Sequence, residues 1–355
     1  MSPVPIVDGH LDLAEAVTLF GRDLTMPVAS LRQLERRTAG QATVTLPEMQ
    51  RGGIAVAIAT VTPGFKVEDV PPGVVRASAM YRSPEEAEGH ALAQVALYEQ
   101  WERDGRVRLL RSAADLDDHL GLWAGDRIPG LVLLMEGADP IVEVRDLPKW
   151  WSRGLRIIGL TYGDTRYGKG VAGGSRNFRS GGLSPAGEEL IREMAGIGLG
   201  WDVSHLTEDG VWQGLDLKIP SVCASHANAR ALTPTDRHLS NAVLSAIGAR
   251  RGVIGLVLYN GFLDPNWTRA RPTEVTVTEQ VRRQAQHIAG VCGWQSVGIG
   301  SDLDGGFGRE ESPHEIETIA DLGEVGSIAP AEEREGVLGG NWLRFLRAML
   351  PASSS

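Results

Sequence analysis

Leu131-Val132-Leu133-Leu134-Met135-Glu136 is five apolar residues closed by a carboxylate, and that order decides the fold. A run that is apolar at every position, rather than at alternate ones, suits a strand buried on both faces, as in a parallel sheet covered by helices. A glutamate is costly to bury unless it is paired, so it belongs where the strand leaves the core. Working outward, similar runs recur at Ile6–Asp8, Ile54–Val61, Leu155–Leu160, Gly200–Val203, Ser221–Ala224, Val253–Leu258 and Val297–Ile299. With Leu131–Met135 they make eight expected strands.

Helical segments separate them. Ser83-Pro84-Glu85-Glu86 has an N-cap serine, a first-turn proline and acidic residues at the positive end of a helix dipole, and predicts a helix to about Arg103. Ser184-Pro185-Ala186-Gly187-Glu188 repeats that start, with a helix to about Gly196. Further helices are expected at Leu239–Arg250, Val275–Gly290 and Ala331–Leu350. Alternating strand and helix implies an α/β fold with a parallel sheet, and eight strands close naturally into a (β/α)8 TIM barrel. The alternative is a doubly wound open sheet. Polar residues end strands one, three, five, six and eight. A barrel gathers those ends on one face, whereas an open sheet spreads them along an edge. Residues 1–350 are expected to form one domain and residues 351–355 a disordered tail. Thr62–Arg82 and Tyr162–Gly182 read as long loops over the C-terminal face of the barrel.

The 355 residues are 42% hydrophobic and 23% charged, with a net charge of -10. This is globular composition, and the acidity argues against nucleic acid as a partner. No apolar stretch approaches the ~18–20 residues of a membrane span, and no signal peptide is visible, so no membrane partner is expected. Cys223 and Cys292 sit in or beside apolar runs and read as buried thiols in a reducing, cytoplasmic setting.

The chemistry lies at the strand ends. His10 and Asp12, one residue apart, point to the same side of an extended chain and can serve one cation. The bland alternative is an Asp that orients the His or caps a helix. Glu136 can bridge two cations, or cap the turn that follows it. His205 and His226 each end a run in Ser-His. One such His is usually structural, but two on barrel strands ~4.8 Å apart can reach one ion. The donors then sort into His10, Asp12 and Glu136 at one cation and Glu136, His205 and His226 at the other. Mixed nitrogen and oxygen donors suit zinc, with manganese, iron and cobalt as alternatives. In Gly300-Ser301-Asp302-Leu303-Asp304-Gly305-Gly306 a carboxylate at the end of strand eight can move a proton; Asp304 competes, and the alternation favours Asp302. A Walker loop, a nucleophile elbow, a His-Glu-x-x-His helix and a dinucleotide fingerprint are all missing from the sequence. A metal-dependent hydrolase is the reading these residues support.

Taken in order, the motifs Asp8-Gly9-His10-Leu11-Asp12-Leu13, Glu136-Gly137, Asp202-Val203-Ser204-His205, Ser225-His226-Ala227-Asn228-Ala229-Arg230, Arg237-His238-Leu239, Gly300-Ser301-Asp302-Leu303-Asp304-Gly305 and Gly339-Gly340-Asn341-Trp342-Leu343-Arg344 span nearly the whole chain. In them the chain resembles the membrane (renal) dipeptidase family, zinc peptidases of the amidohydrolase-like barrels. The resemblance implies two zinc ions and hydrolysis of dipeptides with a free C-terminal carboxylate, including a D-residue there. It implies the ligand sets given above, Asp302 as proton shuttle and Arg237 as the anchor of the substrate carboxylate, with Tyr259 either adding a contact or packing the rim. It also implies the family's tendency to form a homodimer. One departure stands out: where the family has a histidine after strand four, this chain has Tyr162 in Leu160-Thr161-Tyr162-Gly163. A phenol can donate to a developing oxyanion but carries no positive charge at neutral pH. The membrane-bound members are secreted and disulfide-linked, and this chain shows neither trait. Hydrolysis of an N-acyl amino acid or a lactam, or an inactive metal-binding barrel, are the alternative functions.

Overall fold

Strand β1 runs from Ile6 to Leu11, and the strict alternation of its side chains is broken by a register shift between Asp8 and Leu11. Gly9 lies within that stretch, where a β-carbon would stand 2.4 Å from the Trp342 ring. The computed structural model describes residues 4–35, 40–67 and 79–353. The other barrel strands are β2 (Ile54–Val61), β3 (Gly130–Glu136), β4 (Leu155–Gly159), β5 (Gly200–Asp202), β6 (Val222–Cys223), β7 (Ile254–Leu256) and β8 (Val297–Ile299). Every residue of these eight strands is buried. All neighbours pair in parallel, from β1 through β6 in sequence order, with β8 on the other side of β1 and β7 beyond it. The ring closes between β6 and β7 through the Ala224–Ile254 bridge. The barrel expected from the sequence is therefore the fold, and an open sheet is excluded.

The closing edge needs glycine. The Ser225 carbonyl projects between Gly255 and Gly300, and a β-carbon on either would come within 1.9 Å of it. Those two positions let the chain after β6 bend into the barrel mouth.

Two of the expected helices begin as the sequence indicates: Pro84–Arg103 and Pro185–Ile197, with Ser83 and Ser184 accepting from the amides of Glu86 and Gly187. The last helical segment starts later than expected, as a π turn at Gly336–Gly340 leading into Asn341–Met349. Gly339 lies against the Pro5 carbonyl, where a β-carbon would be 2.3 Å away. Trp342, fully buried, then donates its indole N–H to the Ile299 carbonyl at 2.8 Å and plugs the seam between β1 and β8. The sequence reading omitted the helices Leu46–Gly52, Ala113–Asp126, Leu147–Ser152 and Glu208–Asp216. Caps marked some of them, since Ser112 accepts from Asp115 N and Thr207 from Gly210 N.

Residues 351–355 differ from the expected loose tail where they are described. The carbonyls of Pro351 and Ala352 accept from the amides of Ala113 and Ala114, satisfying donors left open at a helix N-terminus. Ser354 and Ser355 lie outside the described residues, as do residues 68–78 of the Thr62–Arg82 loop.

Candidate active site

The C-terminal ends of the strands surround a cavity of about 240 Å³. Asp12, Glu136, Tyr162, His205, His226, Arg237, Tyr259 and Asp302 line it. His10 lies fully buried beneath, with Nε2 3.6 Å from both Glu136 Oε1 and Asp12 Oδ1. Glu136 Oε1 is also 3.1 Å from His205 Nε2 and 3.5 Å from His226 Nε2. One carboxylate oxygen thus faces three imidazoles brought from β1 and from the turns after β5 and β6.

The hydrogen bonds behind the rings assign which nitrogen faces the carboxylates. Ser225 Oγ donates to Asp202 Oδ2 at 2.5 Å, leaving its two lone pairs for His10 Nδ1 at 3.0 Å and His226 Nδ1 at 2.8 Å. His205 Nδ1 donates to the Val171 carbonyl at 2.7 Å. All three rings therefore hold a proton on Nδ1, so that in the neutral form it is the Nε2 lone pair that faces the centre. A His whose far nitrogen is held in this way is the usual form of a metal ligand.

Two observations show that these residues fit metal ions. His10 Nε2 is buried with no hydrogen-bond partner. His205 Nε2 and His226 Nε2 approach to 2.8 Å, which brings two lone pairs together in a place suited to a cation. Donor atoms of His10, Glu136 and His226, and of His10, Asp12 and Asp302, lie within 4.8 Å of one another. The structure thus makes one compact cluster out of the two half-sites read from the sequence, and adds Asp302 to it. His10 and His226 nearly stack, with ring centroids 3.6 Å apart.

Electrostatics favours positive charge here. Burial pushes the Glu136 carboxyl up to about 8. Burial lowers the pKa of His10, but Glu136 and Asp12 outweigh it and take the group up to about 10. His205 and His226 are held well below the usual histidine range, first by burial and then by neighbouring cations, so they stay neutral. A metal would compete with the proton on His10 for the same carboxylates.

Asp302 and Asp304 separate cleanly. Both have positive φ, 58° and 69°, an uncommon conformation for a non-glycine residue. Asp304 also borders the cavity, but its carboxylate is already engaged: it accepts from the Thr43 amide, the Thr43 hydroxyl and the Val44 amide, and pairs with Arg22 at 3.2 Å. Asp302 faces the cavity, its carboxyl raised well above the usual range by burial, with Asp12 and Glu136 adding to the effect.

Arg237 is 3% exposed. Its Nη2 donates to His205 Nε2 at 3.0 Å and to the His226 carbonyl at 2.9 Å, while Nε and Nη1 are buried without partners. Tyr162 stands at the rim, 38% exposed, its ring 4.8 Å from that of His205. Burial and the Glu136 carboxylate hold its phenol above the usual range, so it is a neutral donor. The Tyr259 ring packs among Phe262, Phe307 and Trp267, with centroids 5.0 to 5.5 Å away, as well as lining the cavity.

Sequence reasoning missed the residues that hold this arrangement. Asp202 accepts from the amides of Ser204 and Ser225, and Asp8 accepts from the Ser301 amide and hydroxyl. Each ties the end of one strand to the end of its neighbour. Thr60 donates to Asp12 Oδ1, and Glu15 lines the cavity. The available signal was a polar residue inside an apolar run, as at Asp8, Thr60 and Asp202. Ser225→Ala removes the acceptor shared by His10 and His226. It is expected to weaken metal affinity by ~10- to 100-fold, measured by competition with a chelator, with little change in unfolding temperature.

Residues 1–354 match the family model described as membrane dipeptidase, peptidase family M19. An uncharacterised protein from the pqqA 5' region of Klebsiella pneumoniae is 32% identical over 253 residues, covering 68% of this chain and 89% of that one. The solved structure of a metallopeptidase described as dipeptidase AC is 26% identical, with a TM-score of 0.78 and 99% of each chain covered. A Rhodobacter sphaeroides metallopeptidase, solved with a phosphinate mimic of the dipeptide L-Ala-D-Ala, is 25% identical, with a TM-score of 0.77 over 98% of this chain and 99% of that one.

Proposed function

This chain belongs to the membrane dipeptidase family and is a metallo-dipeptidase, and we propose that it works with two zinc ions on dipeptides that carry a free C-terminal carboxylate. The observation that carries this reading is the approach of three imidazole Nε2 atoms to one Glu136 oxygen, at 3.1 to 3.6 Å. His10, Asp12 and Glu136 would hold one ion, and Glu136, His205 and His226 the other. When bound, such ions supply Lewis-acid polarisation of the scissile carbonyl and make water nucleophilic at neutral pH.

The protein's own groups do the rest. Arg237 lines the cavity with two unpartnered N–H donors, Nε and Nη1, and a positive charge suited to a substrate carboxylate. Tyr162 donates to the carbonyl oxygen as it becomes an oxyanion, in the place where the family has a histidine. Asp302 takes a proton from the attacking water and returns it to the leaving amine, so that the new C–O bond and the broken C–N bond balance without a free ion. The mimic bound by the Rhodobacter relative supports including a D-residue at the C-terminal position. Two free cysteines suit a reducing, cytoplasmic setting, and among the described residues no helix is long and apolar enough to cross a membrane. A homodimer remains part of the proposal.

Metal quantification coupled to a substrate panel tests the reading. About two zinc ions per chain and hydrolysis of L,L- or L,D-dipeptides are expected, lost with a chelator and restored by zinc. Preference for N-acyl amino acids or lactams would move the chain to a related amidohydrolase. Full metal content without turnover on any of these would make it an inactive metal-binding barrel.

A further inference from the structure

Glu15 is a cavity carboxylate that the reaction above does not use, and unlike Asp304 it has no salt bridge among the described residues. It sits in the first turn of the helix Leu13–Thr18, directly after β1, and lines the cavity with Phe20 and Phe65. Neither cluster of donor atoms includes it, although Asp12 three residues earlier belongs to one. Among the described residues no hydrogen-bond donor or cation is paired with its carboxylate. A half-buried carboxylate without a partner is unfavourable, and a dedicated ligand removes that cost.

Its position around the barrel gives the ligand a direction. Arg237 follows β6, and β6 is separated from β1 by β7 and β8, so the two residues face each other across the mouth. One pole of the cavity is cationic and the other anionic, with the donor cluster between them. A free dipeptide has the same polarity: carboxylate at one end, ammonium at the other.

We propose that Glu15 is a specificity residue that binds a cationic group on the N-terminal residue of the substrate, either its α-ammonium or a basic side chain. The inference rests on the dipeptidase reading. A basic side chain could also lie against the Phe20 and Phe65 rings.

The test uses Glu15→Gln in the zinc-loaded enzyme with three kinds of substrate: Arg-Ala and Lys-Ala, Ala-Ala, and propionyl-Ala, which lacks the amine. If the side chain is the ligand, the variant loses on the order of ten- to a hundredfold in kcat/KM on the basic dipeptides relative to Ala-Ala, mainly through KM. If the α-ammonium is the ligand, the wild type prefers Ala-Ala over propionyl-Ala by a similar factor and the variant abolishes that preference. Equal losses on all substrates, no change on any, or reduced zinc content would overturn the proposal. Absence of dipeptide hydrolysis by the wild type would instead overturn the underlying reading.

Discussion

Asp302→Asn is expected to keep its metal and lose turnover by ~10²- to 10⁴-fold, the range assigned to a positioned proton-transfer group. The substitution is a clean probe. Asparagine tolerates the left-handed backbone at this position, φ 58°, better than most residues. It is also isosteric, which matters because Asp302 Oδ1 packs where a β-carbon on Gly305 would stand, 1.9 Å away. The fold should therefore survive, and circular dichroism with a thermal melt checks that. The informative comparison is metal content beside kcat. Asp302 also belongs to a donor cluster with His10 and Asp12, so a role as ligand would appear as weakened metal binding. Unchanged metal with a collapsed kcat supports the shuttle. Unchanged kcat would remove Asp302 from the chemistry.

Glu136→Gln carries the other large effect. Its Oε1 is the one oxygen common to His10, His205 and His226, so both proposed ions depend on it. Loss of a supporting partner behind a ligand costs ~10- to 100-fold in metal affinity. Loss of the shared carboxylate is expected to exceed that and to bring activity to background. Stability should change little, because glutamine preserves the shape of the side chain. Equilibrium dialysis against zinc and an unfolding curve separate the two effects. A variant that still holds two ions would show that the cations do not meet at Glu136.

The sequence by itself determined the architecture and which polar residues gather at the candidate site. Runs such as Ile54–Val61, apolar but for Thr60, reflect strands buried on both faces, and β2 spans those residues. His10, Glu136, His205, His226 and Asp302 stood out because polar side chains at the ends of such runs need a reason to be there. Local pattern carries that information, since burial of a strand is written into its own residues. Tertiary structure decided the rest. Which of Asp302 and Asp304 is left for the chemistry depends on Arg22 and Thr43, more than 250 residues away in sequence, which bind the carboxylate of Asp304. The tautomers depend on Ser225, which meets His10 across 215 residues. Its place depends in turn on two distant glycines, Gly255 and Gly300, admitting its carbonyl. The opposition of Glu15 and Arg237 exists only once the ring of strands closes. Hydrogen-bond partners and cavity walls are properties of chain segments brought together in space, so no periodicity along the chain records them.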